Sequence, residues 1–370
     1  MKYKHNLSIL LSVVGLALFI LPGITAVSSA STPSSVSGAV FTQTNSATGN
    51  AILAFSRSSS GILAAAGQYS THGLGTGAGL GDQGALALSG GWLFAVNAGS
   101  NQISVFKVSG TNLKLTDIAN SRGVSPLSVT VDGNIVYVVN AGNATTAGNI
   151  AGFRVSPSGM LHPIAGSIRS LSSNSSVGPA EISFNPSGTV LAVTEKNTNY
   201  IDTYVVNSFG VAGPAKITTS DGTEPFGFAF DPSGQLVVSN AASGSLSSYA
   251  VSSTGTLTVV SDSIVDGGIA PCWVAISGNG QLAYTDNAHG NTISSFTISH
   301  SGALTLQQSV AATTNLTPLD LAFGGNSHYL YSFNSGSNEI QAYSVAPNGA
   351  LTFLQSIGGL QTGGAGLVAV

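Results

Sequence analysis

Five stretches of this chain open with proline and read alike: Pro126-Leu-Ser-Val-Thr-Val131, Pro179-Ala-Glu-Ile-Ser-Phe184, Pro225-Phe-Gly-Phe-Ala-Phe230, Pro271-Cys-Trp-Val-Ala-Ile276 and Pro318-Leu-Asp-Leu-Ala-Phe323. A Gly-containing turn follows each, such as Asp132-Gly133 or Pro232-Ser-Gly234. Next comes an apolar run ending in Asn or an acid: Val136-Tyr-Val-Val-Asn140, Leu191-Ala-Val-Thr-Glu195, Leu236-Val-Val-Ser-Asn240, Ala283-Tyr-Thr-Asp-Asn287 and Leu330-Tyr-Ser-Phe-Asn334. A third run, such as Ile293-Ser-Ser-Phe296, leads to a second turn carrying Gly159, Gly210, Gly255, Gly302 or Gly349, and then to a fourth run. The runs are short, alternating and rich in β-branched and aromatic residues, as strands require. A helical 3.6-residue apolar period is absent.

Units of four strands repeating about every 45 residues are β-propeller blades. Seven fit, starting near Gly38, Asp82, Pro126, Pro179, Pro225, Pro271 and Pro318. The expected fold is all-β: a seven-bladed β-propeller of four-stranded antiparallel blades, one domain over residues 31–370. Residues 73–81 are glycine-rich and are expected to form a flexible loop. The C-terminal run Gly363-Gly-Ala-Gly-Leu-Val-Ala-Val370 either closes the ring onto the first blade or frays.

Phe184-Asn-Pro-Ser-Gly188 followed by Leu191-Ala-Val-Thr-Glu195-Lys196, and Phe230-Asp-Pro-Ser-Gly234, resemble the seven-bladed lactonase propellers, the family of 6-phosphogluconolactonase and the 3-carboxymuconate cyclases. Val136-Tyr-Val-Val-Asn140-Ala-Gly142 is also similar to the tyrosine-valine-threonine-asparagine repeats of surface propellers. The resemblance implies lactone chemistry at the channel mouth, with His and Arg there. In this chain the residues flanking the opening prolines are instead Ala, Cys, Leu or Glu, and no His-Pro-His occurs. A phosphorylated substrate calls for an Arg or Lys cluster, and positive charge is scarce.

The 370 residues include 10 Lys+Arg and 14 Asp+Glu, for a net charge of −4, and only 6% are charged while 43% are hydrophobic. That balance excludes charge-driven disorder and a basic nucleic-acid binder. Cys272 is the only cysteine, so no internal disulfide exists, and its apolar setting suits a buried small hydrophobe. Lys2, Lys4 and His5, the apolar run from Leu7 to Leu21, and Ser28-Ser-Ala30 have the form of a signal peptide over residues 1–30. Secretion to the periplasm, cell surface or medium is expected, with no membrane span after cleavage and a monomeric ring. So few ionisable groups also imply stability that varies little with pH. Asn143, Asn174 and Asn315 open weak N-glycosylation triplets.

Blade topology places the strand-opening prolines and the turns after the second strands on one face, where propellers usually carry function. The residues two past each proline are Ser128, Glu181, Gly227, Trp273 and Asp320. Glu181 and Asp320 are candidate catalytic carboxylates for acid–base work on a lactone or sugar, although carboxylates at such positions also order loops. Glu195 is a third catalytic candidate, sharing a turn with Lys196. Glu224, Asp286, His289, Arg122 and Trp273 are candidate ligand-binding residues of a polar mouth. The repeated Asn residues read as turn caps. His72, His162, His300 and His328 have no metal-ligand spacing, and no metal or cofactor is expected. Two function classes follow: a lactonase-like hydrolase or cyclase using a small-molecule lactone, or a non-catalytic propeller binding carbohydrate or protein.

Overall fold

The computed structural model describes residues 36–173 and 176–370. The expected signal segment and Asn174 lie outside the described residues. The described residues form seven antiparallel sheets and no helix. None of them belongs to a helix long and apolar enough to cross a membrane.

Six blades are continuous in sequence. Their innermost strands are Leu86–Ser89, Pro126–Asp132, Pro179–Phe184, Pro225–Phe230, Pro271–Ile276 and Pro318–Gly324, here numbered blades 2 to 7. Blade 1 uses both ends of the described chain. Its innermost strand is Ala365–Ala369, followed outward by Val36–Gln43, Ala51–Ser58 and Leu63–Ser70. The C-terminal run is therefore the closing strand, with Val40 opposite Ala369 and Thr42 opposite Leu367. The unit expected to start near Gly38 supplies only three strands of its blade. Blade 3 has its outer strand split into Leu161–Pro163 and Arg169–Ser170.

Burial explains the residue pattern across a blade. Second strands lie between neighbouring sheets, so Val190–Glu195 is buried at every position and reads as a continuous run. Outer strands such as Leu304–Thr313 are mostly exposed on both faces. Between blades the apolar faces interlock: Tyr137 and Val139 of blade 3 pack with Ile182, Phe184, Leu191 and Val193 of blade 4.

The glycine turns noted in the sequence are latches between blades. Tyr137 Oη donates to the Gly210 carbonyl at 2.8 Å, Tyr284 Oη to Gly349 at 2.8 Å, and Tyr331 Oη to Gly61 at 3.0 Å. Thr203 and Ser248 do the same to Gly255 and Gly302, at 2.6 and 2.7 Å. In each pair the turn between the third and fourth strands of one blade is held by a hydroxyl of the blade before it. Gly349 must be glycine there, because its φ is +81° and a Cβ would lie 2.9 Å from Gln307 Oε1.

Tyr284→Phe, which leaves the buried Gly349 carbonyl without its donor, is expected to cost about 1–2 kcal/mol. Gly349→Ala adds left-handed strain and crowding and is expected to cost more. Urea unfolding of the two variants checks both the sizes and the order.

Candidate functional site

The linker between blades 1 and 2 shapes the channel. Rather than hanging loose, it is tied down. Asn45 Nδ2 donates to Thr76 Oγ1 and the Ala78 carbonyl at 3.0 and 2.6 Å, and Asn45 Oδ1 accepts from Thr76 N at 3.0 Å. Residues 81–84 then cross the channel at the end where the inner strands begin. The Gly81 carbonyl accepts from Lys196 Nζ of blade 4. The Asp82 carbonyl accepts from Trp273 Nε1 of blade 6 at 2.7 Å. Gln83 N donates to the Ala180 carbonyl at 3.0 Å. The Gln83 carboxamide donates to the Val274 carbonyl at 2.9 Å and accepts from Val274 N at 3.1 Å. The Gly84 carbonyl accepts from Val129 N of blade 3 at 2.8 Å. Four residues thus plug the mouth by joining three blades.

The five aligned positions are the seat of this plug. In blades 3, 4, 6 and 7 the ladder shifts register between the opening proline and the residue two past it, a bulge that re-aims the strand. Ser128 lies under Gly84, where a Cβ would sit 2.6 Å from Ser128 Oγ. Gly227 lies against Gln83, and a Cβ there would sit 2.1 Å from Gln83 Oε1 and 2.6 Å from the Cys272 carbonyl. Trp273 supplies the indole donor already described, and its ring packs on Phe226 with centroids 5.1 Å apart.

Glu181 and Asp320 stand at the plugged end of a channel cavity of 280 Å³. The cavity runs from Gln83 along the inner strands to Val131, Ser183 and Val368 near the opposite face. Glu181 Oε2 accepts from Phe228 N at 2.6 Å, and Asp320 Oδ1 accepts from Leu321 N at 2.8 Å. Burial holds the Glu181 carboxyl well above the carboxylate range, and Asp82 pushes it further. Burial raises Asp320 likewise, with Asp286, Asp82 and Glu181 adding to the effect. Asp286 is raised by burial too. Its Oδ1 accepts from Trp273 N at 3.2 Å and its Oδ2 has no partner among the described residues. Asp82 is pushed up to about 8 by burial, against the pull of Lys196. Lys196 lies 4.5 Å above the Phe226 ring, and burial lowers its pKa. Burial thus biases all four carboxyls toward the neutral form, and Lys196 acts on Asp82 among them.

The structure therefore gathers Glu181, Asp286, Asp320 and Trp273. Glu224 is half-buried and interacts with Lys196 at the rim. Three candidates are not brought to the channel. Glu195 is buried in blade 4, where its carboxylate accepts from Ser172 N at 2.9 Å, Ser172 Oγ and Thr198 Oγ1 at 2.7 Å, and faces Asp202. It fills the place held elsewhere by Asn240, whose Nδ2 donates to Ser247 seven residues on at 2.9 Å. Burial and then Glu195 raise the pKa of Asp202, and the two acids stand where blade 5 has an amide–hydroxyl pair. His289 is exposed in its turn. Arg122 is exposed and lines a separate cavity of 360 Å³ on blade 3. Asp82 and Gln83, central to the site, carried no repeat signal. Cys272 is buried and its thiol pKa is pushed up by burial, which makes it unreactive. Among the described residues no group of three or more His, Cys, Asp and Glu is placed to hold a metal ion.

Seven four-stranded blades closed into one ring are the architecture of the lactonase propellers. The sequence profile described as "Lactonase, 7-bladed beta-propeller" matches residues 168–274 and 265–368, and the chain belongs to that family. Among solved structures, it is similar to a candidate 6-phosphogluconolactonase of Bacteroides fragilis, at 18% identity and TM-score 0.73, covering 92% of this chain and 100% of that one. The periplasmic gluconolactonase of Pseudomonas aeruginosa is similar at 16% identity and TM-score 0.71, covering 90% of this chain and 99% of that one. A Lactobacillus plantarum protein aligns at 18% identity and TM-score 0.74, over 90% of this chain and 99% of its own. At these identities the likeness is one of fold. No curated protein matches the sequence.

The buried carboxyls revise the expectation of pH-independent stability. Asp82, Glu181, Asp286 and Asp320 have raised pKa values in the folded state. Their stabilising contribution is complete below the unfolded value of about 4 and is lost as pH rises toward the folded values. The melting temperature is expected to fall between about pH 4 and pH 8, and Asp320→Asn is expected to flatten that fall. A melting temperature that climbs toward pH 8 contradicts this account.

Proposed function

We propose that this propeller hydrolyses a neutral lactone in its channel, with Glu181 and Asp320 as the acid–base pair. The observation that carries the reading is the pair itself, lining one 280 Å³ cavity that no basic side chain shares. A phosphate or carboxylate on the substrate would meet no cation there, whereas an uncharged sugar-type lactone has ring and hydroxyl oxygens that a protonated carboxyl can donate to. Like charges brought together cannot both ionise easily, so one member loses its proton well before the other. The ionised member takes a proton from the attacking water. The protonated member delivers one to the departing ring oxygen.

The plug directs how substrate arrives. With residues 81–84 across the upper mouth, the route to the pair runs along the inner strands from the opposite face. Export through residues 1–30 would put this chemistry outside the cytoplasm, in keeping with its similarity to the periplasmic gluconolactonase of Pseudomonas aeruginosa.

A second reading has its own support. A mouth filled by main-chain and side-chain contacts is what a non-catalytic binding propeller would show, and the plug fills it.

Proton release by the purified protein over neutral and phosphorylated lactones separates the readings. Turnover of neutral lactones only is expected, rising above neutral pH as one carboxyl ionises. Glu181→Gln and Asp320→Asn are each expected to lower kcat by about a hundredfold or more. Absence of turnover on every lactone, from folded protein, moves the assignment to the binding propeller.

A further inference from the structure

Another cavity exceeds the channel cavity in volume. It lies on the opposite face between blades 6 and 7 and measures 730 Å³, within the range of about 300–1,000 Å³ usual for ligand sites. Three turns wall it: residues 277–279, 326–328 and 345–347. A second cavity of 210 Å³ between blades 5 and 6 shares Asn279 with it and extends to His300. The two make one groove across three blades.

The turn of blade 7 that forms the wall is unlike its counterparts. Blades 3, 4, 5 and 6 place a single left-handed glycine in this turn: Gly133, Gly188, Gly234 and Gly280. Blade 7 holds Gly325, Asn326 and Ser327 in succession at φ +60°, +55° and +67°. Asn tolerates the left-handed region, whereas a serine there is strained, and such strain persists where surroundings impose it. Here Ser327 Oγ accepts from Gly278 N at 2.8 Å and fixes the two blades' turns together. The effect is to present the exposed side chains of Asn326 and His328, which make no hydrogen bond to the described residues, along the groove.

We propose that this groove binds a neutral oligosaccharide. Its polar groups without a bond to the described residues are an amide and an imidazole (Asn326, His328), each carrying a donor and an acceptor, which suits vicinal hydroxyls, while Asn279, whose carboxamide is bonded to Ser277 and Gln281, keeps one N–H to offer. Leu282 and Pro347 supply apolar wall for the C–H faces of sugar rings. No Lys, Arg, Asp or Glu lines the larger cavity, and the one acid lining the smaller, Asp231, is buried with its Oδ1 accepting from Ser233 and Gln235, so neither an acidic polymer nor a basic peptide finds an exposed counter-charge. An uncharged peptide would need a free strand edge or an aromatic anchor pocket. The walls offer neither. Their turn amides are already bonded internally, as in Gly280 N to Ser277 O and Gly349 N to Ala346 O, both at 2.8 Å, and no aromatic lines them.

Titration calorimetry on the purified protein tests this with maltohexaose, cellohexaose and laminarihexaose, beside hexagalacturonate and an uncharged Gly/Ser dodecapeptide. At least one neutral hexasaccharide is expected to bind. Asn279→Ala and His328→Ala are each expected to weaken it about tenfold or more, while Glu181→Gln in the channel leaves it unchanged. Asn326→Gly, which suits the left-handed turn and keeps the fold, is expected to weaken it as well. Three results overturn the proposal: no neutral hexasaccharide bound at about 5 mM, binding that ignores the groove variants, or preference for the peptide or the acidic hexamer. Binding lost only in Glu181→Gln would assign the sugar to the channel instead.

Discussion

The ring depends on one closure, and a buried arginine clamps it. A blade has two apolar faces and can bury both only between neighbours, so an open ring would leave two faces wet. The pairing of Ala365–Ala369 with Val36–Gln43 prevents that. Arg57, only 5% exposed, secures the pairing: its Nε donates to the Val370 carbonyl at 3.1 Å and its Nη2 to the Ser37 carbonyl at 2.9 Å. The same guanidinium lies 5.7 Å from the centroid of the Tyr329 ring of blade 7. One side chain therefore contacts the closing strand, its partner strand and the next blade.

The inner strands were legible because every blade obeys the same demands. The opening proline begins a strand, the Gly turn reverses it, and the apolar run that follows has neighbours on both faces. Position two past the proline stood out for the same reason: a shared bulge puts these residues at the axis, so an acid there is visible against Ser128 and Gly227. What was not legible lies outside the repeat. Asp82 and Gln83 belong to a linker with no counterpart in other blades, and nothing local in Gly79-Leu-Gly-Asp-Gln83 announces that it will bond to blades 4 and 6. Glu195 was misleading for the opposite reason. It breaks a run of Asn residues and so looks functional, yet Asp202 seven residues on marks the structural pair that Asn240 and Ser247 form in blade 5.

Formal charge misdescribes this surface. Nine of the fourteen acids are buried: Asp82, Glu181, Glu195, Asp202, Asp231, Asp266, Asp286, Asp320 and Glu339. Residues 36–370 carry all fourteen acids and eight basic residues, a formal charge of −6. Burial raises the pKa of Asp82, Glu181, Asp202, Asp286 and Asp320, which makes the charge at neutral pH less negative than that formal value. Serine, threonine, asparagine and glycine, not charge, keep the exterior in water.

The plug and the neutral carboxyls sustain one another. Buried carboxylates beneath the plug would repel and draw in water, and the Oδ2 atoms of Asp82 and Asp286 have no partner among the described residues to compensate an ionised oxygen. As neutral acids they tolerate burial, and residues 81–84 can settle across them with the Gln83 carboxamide bonded to the Val274 main chain. The plug in turn excludes the water that would favour ionisation. Lys196 does not break this balance, because its ammonium is held by the Gly81 carbonyl and the Phe226 face rather than by a salt bridge to the cluster. A family mouth lined with His and Arg would stabilise anions and open toward them. Here the same place is lined with acids that gain most by keeping their protons, which makes a closed mouth and a charge-poor chain two expressions of one electrostatic condition.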